Sequence, residues 1–552
     1  MERYIAVLSI AHLIKGAEYR TRQFMGGQVK DPASMQFGGI RGDIWEAKPT
    51  IYALAPALAV YFNENSCFYK NGELYDAVNL ALDFVARTQR EDGSFDYPSC
   101  NFKSAADTSF CFKRLIAAYR LLVKYGMDTD EKITVLKEKY LTVMHRALEA
   151  VLVGGFHTPN HRWGIAAALL QGANLFAEEE GFAAGLRNRA GQYLAEGIDA
   201  DEDGEYAERS TGNYNAVVNN AMMAMYQETG EESFLGYVER NLAMMLNYVD
   251  PDDTIFTQNS TRQDQGKKEY ADKYFYQYLY MCSRQEYPAF DAAAHKIIKD
   301  NMERGDLAPD CLHIIMNHDE MMGYHFKEYG FPQQYRKFFR HAGVLRVKKK
   351  EYAYTVLNGK SAFLYFKSKG TVLCVKIGES CCDIRNFIPD KIEELPDGCR
   401  LEAEAESWYY LPFEEKQDTS DWWKMDQSKR KKLISSRLKT TLNIHETENG
   451  LELSLKAEGL DRLPLRLEIC IPAGVTLEHP AFALEAAPGE GMILKEGYLT
   501  IRDGLTEVEI GPGFGEHSFK GHYSGEEINQ NGYTVYANGY TPLEKKFNLM
   551  VK

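Results

Sequence analysis

The sequence predicts two domains of different class, an N-terminal (α/α) toroid of helical hairpins over residues 1–335 and a C-terminal antiparallel β-sandwich over 336–552. Three observations carry this. Apolar residues recur at helical spacing up to about residue 335, as in ALAPALAVYF, RLIAAYRLLVKYG and GIAAALLQGANLFA. After His341 the pattern turns to alternation, as in YAYTVL, TVLCVKIG, TTLNIHE and LRLEICIP, with Asn358-Gly359 and Asn449-Gly450 as hairpin turns. Within the helical part, new helices begin near residues 50, 105, 160, 212 and 268, one hairpin per period. Many short strands without intervening helices indicate stacked sheets. The boundary falls in GFPQQYRKFFRHAG, residues 330 to 343.

With 552 residues, 64 Lys+Arg against 79 Asp+Glu and a net charge of -15, the chain can bury large cores and is ill suited to coating nucleic acid. Its ten cysteines lie scattered with no CxxC pair or zinc spacing and read as reduced thiols. The N-terminal MERYIAVLSIAHLIKGAEYR carries Glu2, and Ser9, His12 and Lys15 interrupt its apolar positions; this fits an amphipathic helix better than a signal peptide. No stretch is long and apolar enough to span a membrane, so a cytoplasmic location is expected.

In an antiparallel hairpin array every second helix starts at the same end, so the loops at 36–50, 90–109, 154–164, 199–215 and 250–270 should gather on one face. Each brings cations. Arg41, Lys48, Lys103, Arg162, Arg209 and Arg262 would converge with Trp45 and Trp163, giving guanidinium forks for carboxylates or sulfates and aromatic faces for sugar rings. Loops held on a rigid scaffold commonly carry function. Taken singly, the charged residues read as solvated, Asn160 as a helix N-cap beside Pro159, and His157 and His161 as packing histidines.

An α/α toroid followed by a β-sandwich, with NHRW at 160–163 and DGEYAERSTGNYN at 203–215, resembles the heparinase II/III-like polysaccharide lyases, including certain alginate lyases. The resemblance in layout covers nearly the whole chain. It implies β-elimination on an acidic oligosaccharide or polysaccharide, with Asn160, His161 and Tyr214 as catalytic residues. Asn160 and a protonated His161 would hydrogen-bond the uronate carboxylate and stabilise the enolate-like transition state. Tyr214 would move the proton, its phenolate favoured by Arg162 and Arg209 against an ordinary pKa of about 10. Arg41, Trp45, His157, Arg162, Trp163, Glu208, Arg209, Asn213 and Arg262 would bind substrate. The family often adds a histidine from early in the sandwich. Residues 344–380 contain none, which leaves His341, His517 and His522 as alternatives.

Other readings stay open. Helical toroids also host glycoside hydrolases, including those acting on unsaturated uronyl oligosaccharides, for which Asp43, Asp96, Asp107, Glu205 and Glu208 are candidate carboxylates. A non-catalytic carbohydrate-binding protein is the third class. No cofactor is required by any motif, and no metal ligands are assigned. DADEDG at 199–204 matches the first half of a calcium loop, but Ser210 stands at the closing position. Trp422-Trp423, in the charged segment EEKQDTSDWWKMDQSKRKK, marks an insertion, a flap or a subunit contact, and a homo-oligomer is allowed.

Overall fold

The structure is a computed structural model that describes residues 2–127, 129–327, 329–381, 384–517 and 529–552. The chain divides into two compact units, Met1–Tyr248 with Ile255–Pro332, and Val249–Thr254 with Gln333–Lys552. The first is helical and the second is built of sheets, the fold class expected from the sequence.

In the first unit the helices are α1 (Glu2–Gly27), α2 (Lys48–Phe62), α3 (Gly72–Thr88), α4 (Ala105–Tyr125), α5 (Glu131–Val153), α6 (Pro159–Leu175), α7 (Glu180–Leu194), α8 (Tyr214–Thr229), α9 (Ser233–Met245), α10 (Phe275–Arg284), α11 (Pro288–Arg304) and α12 (Leu312–Asn317). Helix α2 packs on α4, α4 on α6 and α6 on α8, while α3, α5, α7 and α9 each pack on the preceding even-numbered helix. Alternate helices therefore run the same way, and the loops before α4, α6 and α8 share one end. Composition separates the layers: α2 is buried continuously from Leu54 to Phe62, whereas α3 buries a single stripe through Leu74, Val78, Ala81, Leu82 and Val85. Side chains stop the ends, with Asn71 accepting from the Leu74 amide, Ser104 from Asp107 and Asp130 from Lys132.

The second unit holds two nine-stranded sheets among its described residues. In one, the strands from Tyr335–Phe339 to Thr371–Cys381 follow each other as antiparallel neighbours, and Pro464–Pro472 pairs with the last of them. The other is built on the long hairpin of Gly398–Tyr410 and Lys432–Thr447. Alternation places Leu373, Val375 and Ile377 from one sheet with Leu442, Ile444, Leu453 and Leu455 from the other in one hydrophobic core. The turn expected at Asn449-Gly450 lies one residue earlier: Thr447 pairs with Gly450, so Gly450 opens the next strand. Trp422 and Trp423 are both exposed, on a short 3₁₀ turn in the hairpin's connection.

One departure from the expected boundary is Val249–Thr254, which belongs to the sheet unit. Charge explains it. Asp250, 3 % exposed, accepts from Arg346 at 2.8 Å and from Lys367 at 3.2 Å, and Arg346 also meets Tyr335 Oη at 2.7 Å. A buried arginine left without its carboxylate would be strongly destabilising.

Glu379 is a second buried charge site, with the Thr440 hydroxyl as its donor. Burial lifts its carboxyl from 4.5 to about 7. The folded state then holds this proton more tightly than the unfolded chain. The contribution of Glu379 to stability should be greatest below about pH 4.5 and be lost as pH rises through about 7. Urea denaturation of the whole chain at pH 5 and pH 8 should show Glu379→Gln raising stability at pH 8 and flattening the decline.

Candidate functional site

Helix α6 begins at Pro159 with Thr158 at the N-cap, so Asn160 is not the cap that its position suggests. Its side chain is committed elsewhere. Asn160 is 1 % exposed, and its Nδ2 donates to Glu208 Oε1 at 2.9 Å and Oε2 at 2.8 Å. Arg262 Nε lies 3.3 Å from Glu208 Oε1, but its N–H is not aimed at that oxygen, so the attraction is mainly electrostatic. The same guanidinium sits 5.1 Å from the ring centre of Tyr214, whose hydroxyl donates to Gln263 Oε1 at 3.3 Å. Burial raises the Glu208 carboxyl above its ordinary range, against the lowering pull of Asn160 and Arg262.

His161 follows Asn160 in the first turn of α6. Its ring meets His157 edge-on at 4.7 Å and Phe110 at 5.8 Å. Burial, with His157 adding to it, pushes the imidazole down to about 4; Asp107 opposes the shift, while Arg262 and Lys48 reinforce it. The imidazole is therefore neutral at neutral pH, which corrects the expectation of a protonated His161. Among the described residues, His161 Nδ1 and Asn160 Oδ1 are buried without a hydrogen-bond partner. Such atoms are uncommon in a finished interior, and a catalytic role is one of the reasons for keeping them. Nearby, Lys48 Nζ pairs with Asp107 Oδ1 at 2.8 Å, and Asp107 is held below its ordinary range against the penalty of burial.

The loops carrying Glu208, Tyr214 and Arg262 are joined by Asp264, which is 5 % exposed. Its Oδ1 accepts from Ser210 Oγ at 2.8 Å and Ser260 Oγ at 2.7 Å, and its Oδ2 from the Gly212 amide at 2.9 Å. Ser210 Oγ accepts in turn from the Tyr214 amide at 2.9 Å and so starts α8. Thr261 bonds the Glu208 carbonyl through both its amide and its hydroxyl. Gly204 turns this stretch at φ 92°, with the Arg240 backbone 2.5 Å from where a Cβ would stand. Neither Asp264 nor Gln263 is marked by any sequence pattern; both emerge only from the meeting of the two loops.

The fold brings together Asn160, His161, His157, Glu208, Arg262 and Tyr214, with Asn213 at the N-cap of α8. It sends others elsewhere. Trp163 is fully buried, and its indole donates to Asp199, so it cannot stack on a sugar. Arg162 lies over that indole at 4.0 Å and reaches Glu196 at 3.1 Å and the Gly197 carbonyl at 2.9 Å. Both are captured by the acidic turn after α7. Arg209 adopts a left-handed φ of 50° and acts electrostatically on Glu205, and the cation over Tyr214 is Arg262 in place of Arg162 and Arg209. Arg41 and Trp45 lie in an exposed stretch, and among the described residues no hydrogen bond, ion pair or ring contact ties them to this cluster.

The calcium-like segment is otherwise engaged: Asp199 accepts from Trp163, and Asp201 Oδ1 from the amides of Asp203 and Glu205. Of the candidate hydrolase carboxylates, Asp96 is gripped by Arg90 and Asp43 is exposed. Glu205 is buried with Asn215 and Tyr248, and burial pushes it up to about 7. Of the sandwich histidines, His341 is exposed and His517 meets the Gly539 carbonyl at 2.9 Å, while His522 lies outside the described residues.

No protein-family description matches the sequence, and no curated protein matches it. Solved structures do match in fold. A Paenibacillus xanthan lyase aligns with a TM-score of 0.58 at 10 % identity over 100 % of this chain, which spans only 59 % of the xanthan lyase. The heparan sulfate lyase HepC of Pedobacter heparinus aligns at 0.55 and 11 % identity, covering 97 % of this chain and 82 % of that one. A chondroitin AC lyase of Streptomyces coelicolor A3, solved with chondroitin sulphate, aligns at 0.51 and 11 % identity over 98 % and 79 % of the two chains. This chain therefore has the helical-toroid and β-sandwich fold of these enzymes.

A neutral, buried imidazole has a direct spectroscopic signature. The ring protons of His161, assigned by comparison with His161→Ala, should titrate by NMR with a midpoint near pH 4. A midpoint at the ordinary value of about 6.5 would contradict the electrostatics described here.

Proposed function

We propose that this protein is a polysaccharide lyase that cleaves uronate-containing glycans by β-elimination. The observation that carries the reading is the convergence, from three separate loops, of a neutral imidazole with an unpartnered nitrogen, a guanidinium and a phenol. The fold shared with enzymes named for xanthan, heparan sulfate and chondroitin is consistent with it.

Elimination removes the proton at C5 of the uronate, alpha to its carboxylate. That proton is too weakly acidic until the carboxylate's charge is offset. Since His161 is neutral and the Asn160 amide is bonded to Glu208, this task falls to Arg262. Asn160 and Glu208 then serve mainly to hold that guanidinium and the start of α6 in register. The neutral imidazole of His161 accepts the C5 proton through a ring lone pair. The electrons left behind form the C4–C5 double bond as the bond from C4 to the glycosidic oxygen breaks. That oxygen takes its proton from the hydroxyl of Tyr214; the imidazolium of His161 then releases the C5 proton to solvent, and the phenolate takes one from solvent to restore the phenol.

The test is ultraviolet absorbance of the new double bond over a panel of uronate polymers and oligomers. Absorbance should rise with at least one substrate. Tyr214→Phe and His161→Ala should each lower the rate by about 10²- to 10⁴-fold, the usual contribution of a positioned acid or base. With a substrate whose leaving group needs no protonation, Tyr214→Phe should recover while His161→Ala should not. Loss of absorbance from an unsaturated oligosaccharide would instead indicate a hydrolase, and binding without any change a carbohydrate-binding protein. Because His161 titrates near 4, kcat/KM should persist through pH 5 and fall only as the imidazole gains its proton below about pH 4. An acid limb near 6.5 would assign the base to another group.

A further inference from the structure

Inside the helical unit lies a cavity of about 390 Å³, walled by α4, α8 and the segment from Leu307 to His318. This is within the range of small-molecule sites, about 300–1,000 Å³. Most charges on its wall are paired. Arg114 is 3.2 Å from Asp310 and 3.1 Å from His313, Arg120 meets Glu228, Lys273 is 3.7 Å from Glu269, and Asp272 is 3.0 Å from Arg304. Arg20 donates to the Ala308 carbonyl at 2.7 Å, and burial pushes His313 down to about 4, so it is neutral. Two groups stand apart. Lys113 has no carboxylate partner among the described residues, and Gln171, 5 % exposed, has no hydrogen bond for its amide. Both line the cavity, from the neighbouring helices α4 and α6, and Asn213 adds an amide at the Tyr214 end. The lining also includes the apolar side chains of Ile116, Val217 and Met223.

An ammonium and an amide, neither of them paired among the described residues, leave the lining of this cavity incomplete. A desolvated cation without a counter-charge is costly, and the Gln171 amide is free to bond a ligand. Burial, with Arg114 adding repulsion, pushes Lys113 down to about 7, and an anion alongside would favour its charged form. Gln171 offers one donor and one acceptor face, which suits a hydroxyl better than a second charge.

We propose that this cavity is a binding site for a small hydroxycarboxylate, of a size up to one sugar acid, whose carboxylate pairs with Lys113 and whose hydroxyl bonds Gln171. It is a site for a free small molecule, its lining includes neither Arg262 nor Tyr214, and it does not depend on the elimination reading.

The test is calorimetric titration of the full chain carrying Arg262→Leu, which removes the cation proposed to hold a uronate carboxylate at the other cluster. The probes are D-glucuronate and D-galacturonate, with D-glucose and inorganic sulfate as comparisons. At least one uronate should bind, and glucose should not. Lys113→Met keeps the apolar stem and removes the desolvated charge, so it should fold with an unchanged or higher Tm and weaken uronate binding by about tenfold or more. Gln171→Leu should weaken binding too. Absence of uronate binding at millimolar concentration, or unchanged binding in folded Lys113→Met, overturns the proposal. Sulfate binding as tightly as the uronates overturns it as well, by reducing the cavity to a simple counter-ion site. Elimination by otherwise unaltered protein carrying Lys113→Met reports separately on the Tyr214 cluster, so the two readings fail independently.

Discussion

The candidate site depends on one buried carboxylate that never meets a substrate in the chemistry proposed. Asp264 accepts three hydrogen bonds, two from serine hydroxyls and one from a backbone amide, and so joins the turn at 210–212 to the loop at 260–264. Loops that long would otherwise carry large conformational freedom. Once joined, the first brings Glu208 and Tyr214 and the second brings Arg262, and their positions relative to α6 follow. Glu208 then spends both oxygens on Asn160, and the guanidinium is left over the phenol. A carboxylate bonded in this way orients the charged and aromatic groups around it without taking part in proton transfer.

The second consequence concerns protonation. A histidine beside two cations and a second histidine, under a phenylalanine edge, is a poor place to store a positive charge. Desolvation and like charge act in the same direction, and only the Lys48-bound Asp107 opposes them. The imidazole is consequently neutral near neutral pH, and in the chemistry proposed Arg262 supplies the charge that faces the substrate. The lysine in the interior cavity obeys the same rule: among the described residues no carboxylate pairs with its charge, which is why an external anion is proposed there.

The sheet unit is organised around a different economy of charge. Its two sheets meet over a continuous core of aliphatic and aromatic side chains, and the few buried ions are placed where they fix connectivity. Asp250 draws a short segment out of the helical stretch of the sequence to satisfy Arg346 and Lys367. Glu379 stays mostly protonated in acid and finds a hydroxyl donor in the facing sheet. Hydrophobic burial supplies the stability of such a unit, and its polar exceptions supply register.

The fold was legible in the sequence because periodicity is a local property. Helical spacing, its change to alternation near residue 341 and the recurrence of helix starts each depend on side chains facing one core, and each survives in the structure. The meeting of part of the candidate cluster was also legible, since Asn160, Tyr214 and Glu208 stand at or just before helix starts of like direction. What the sequence could not determine is where a side chain at such a start is aimed. NHRW reads as one motif, yet Asn160 turns to Glu208 while Arg162 and Trp163 are taken by the turn at 196–199. Those choices, together with the charge state of His161, the tie made by Asp264 and the unpaired lysine in the cavity, rest on partners distant in sequence. Only tertiary packing decides them, because desolvation and hydrogen bonding depend on what is adjacent in space and not along the chain.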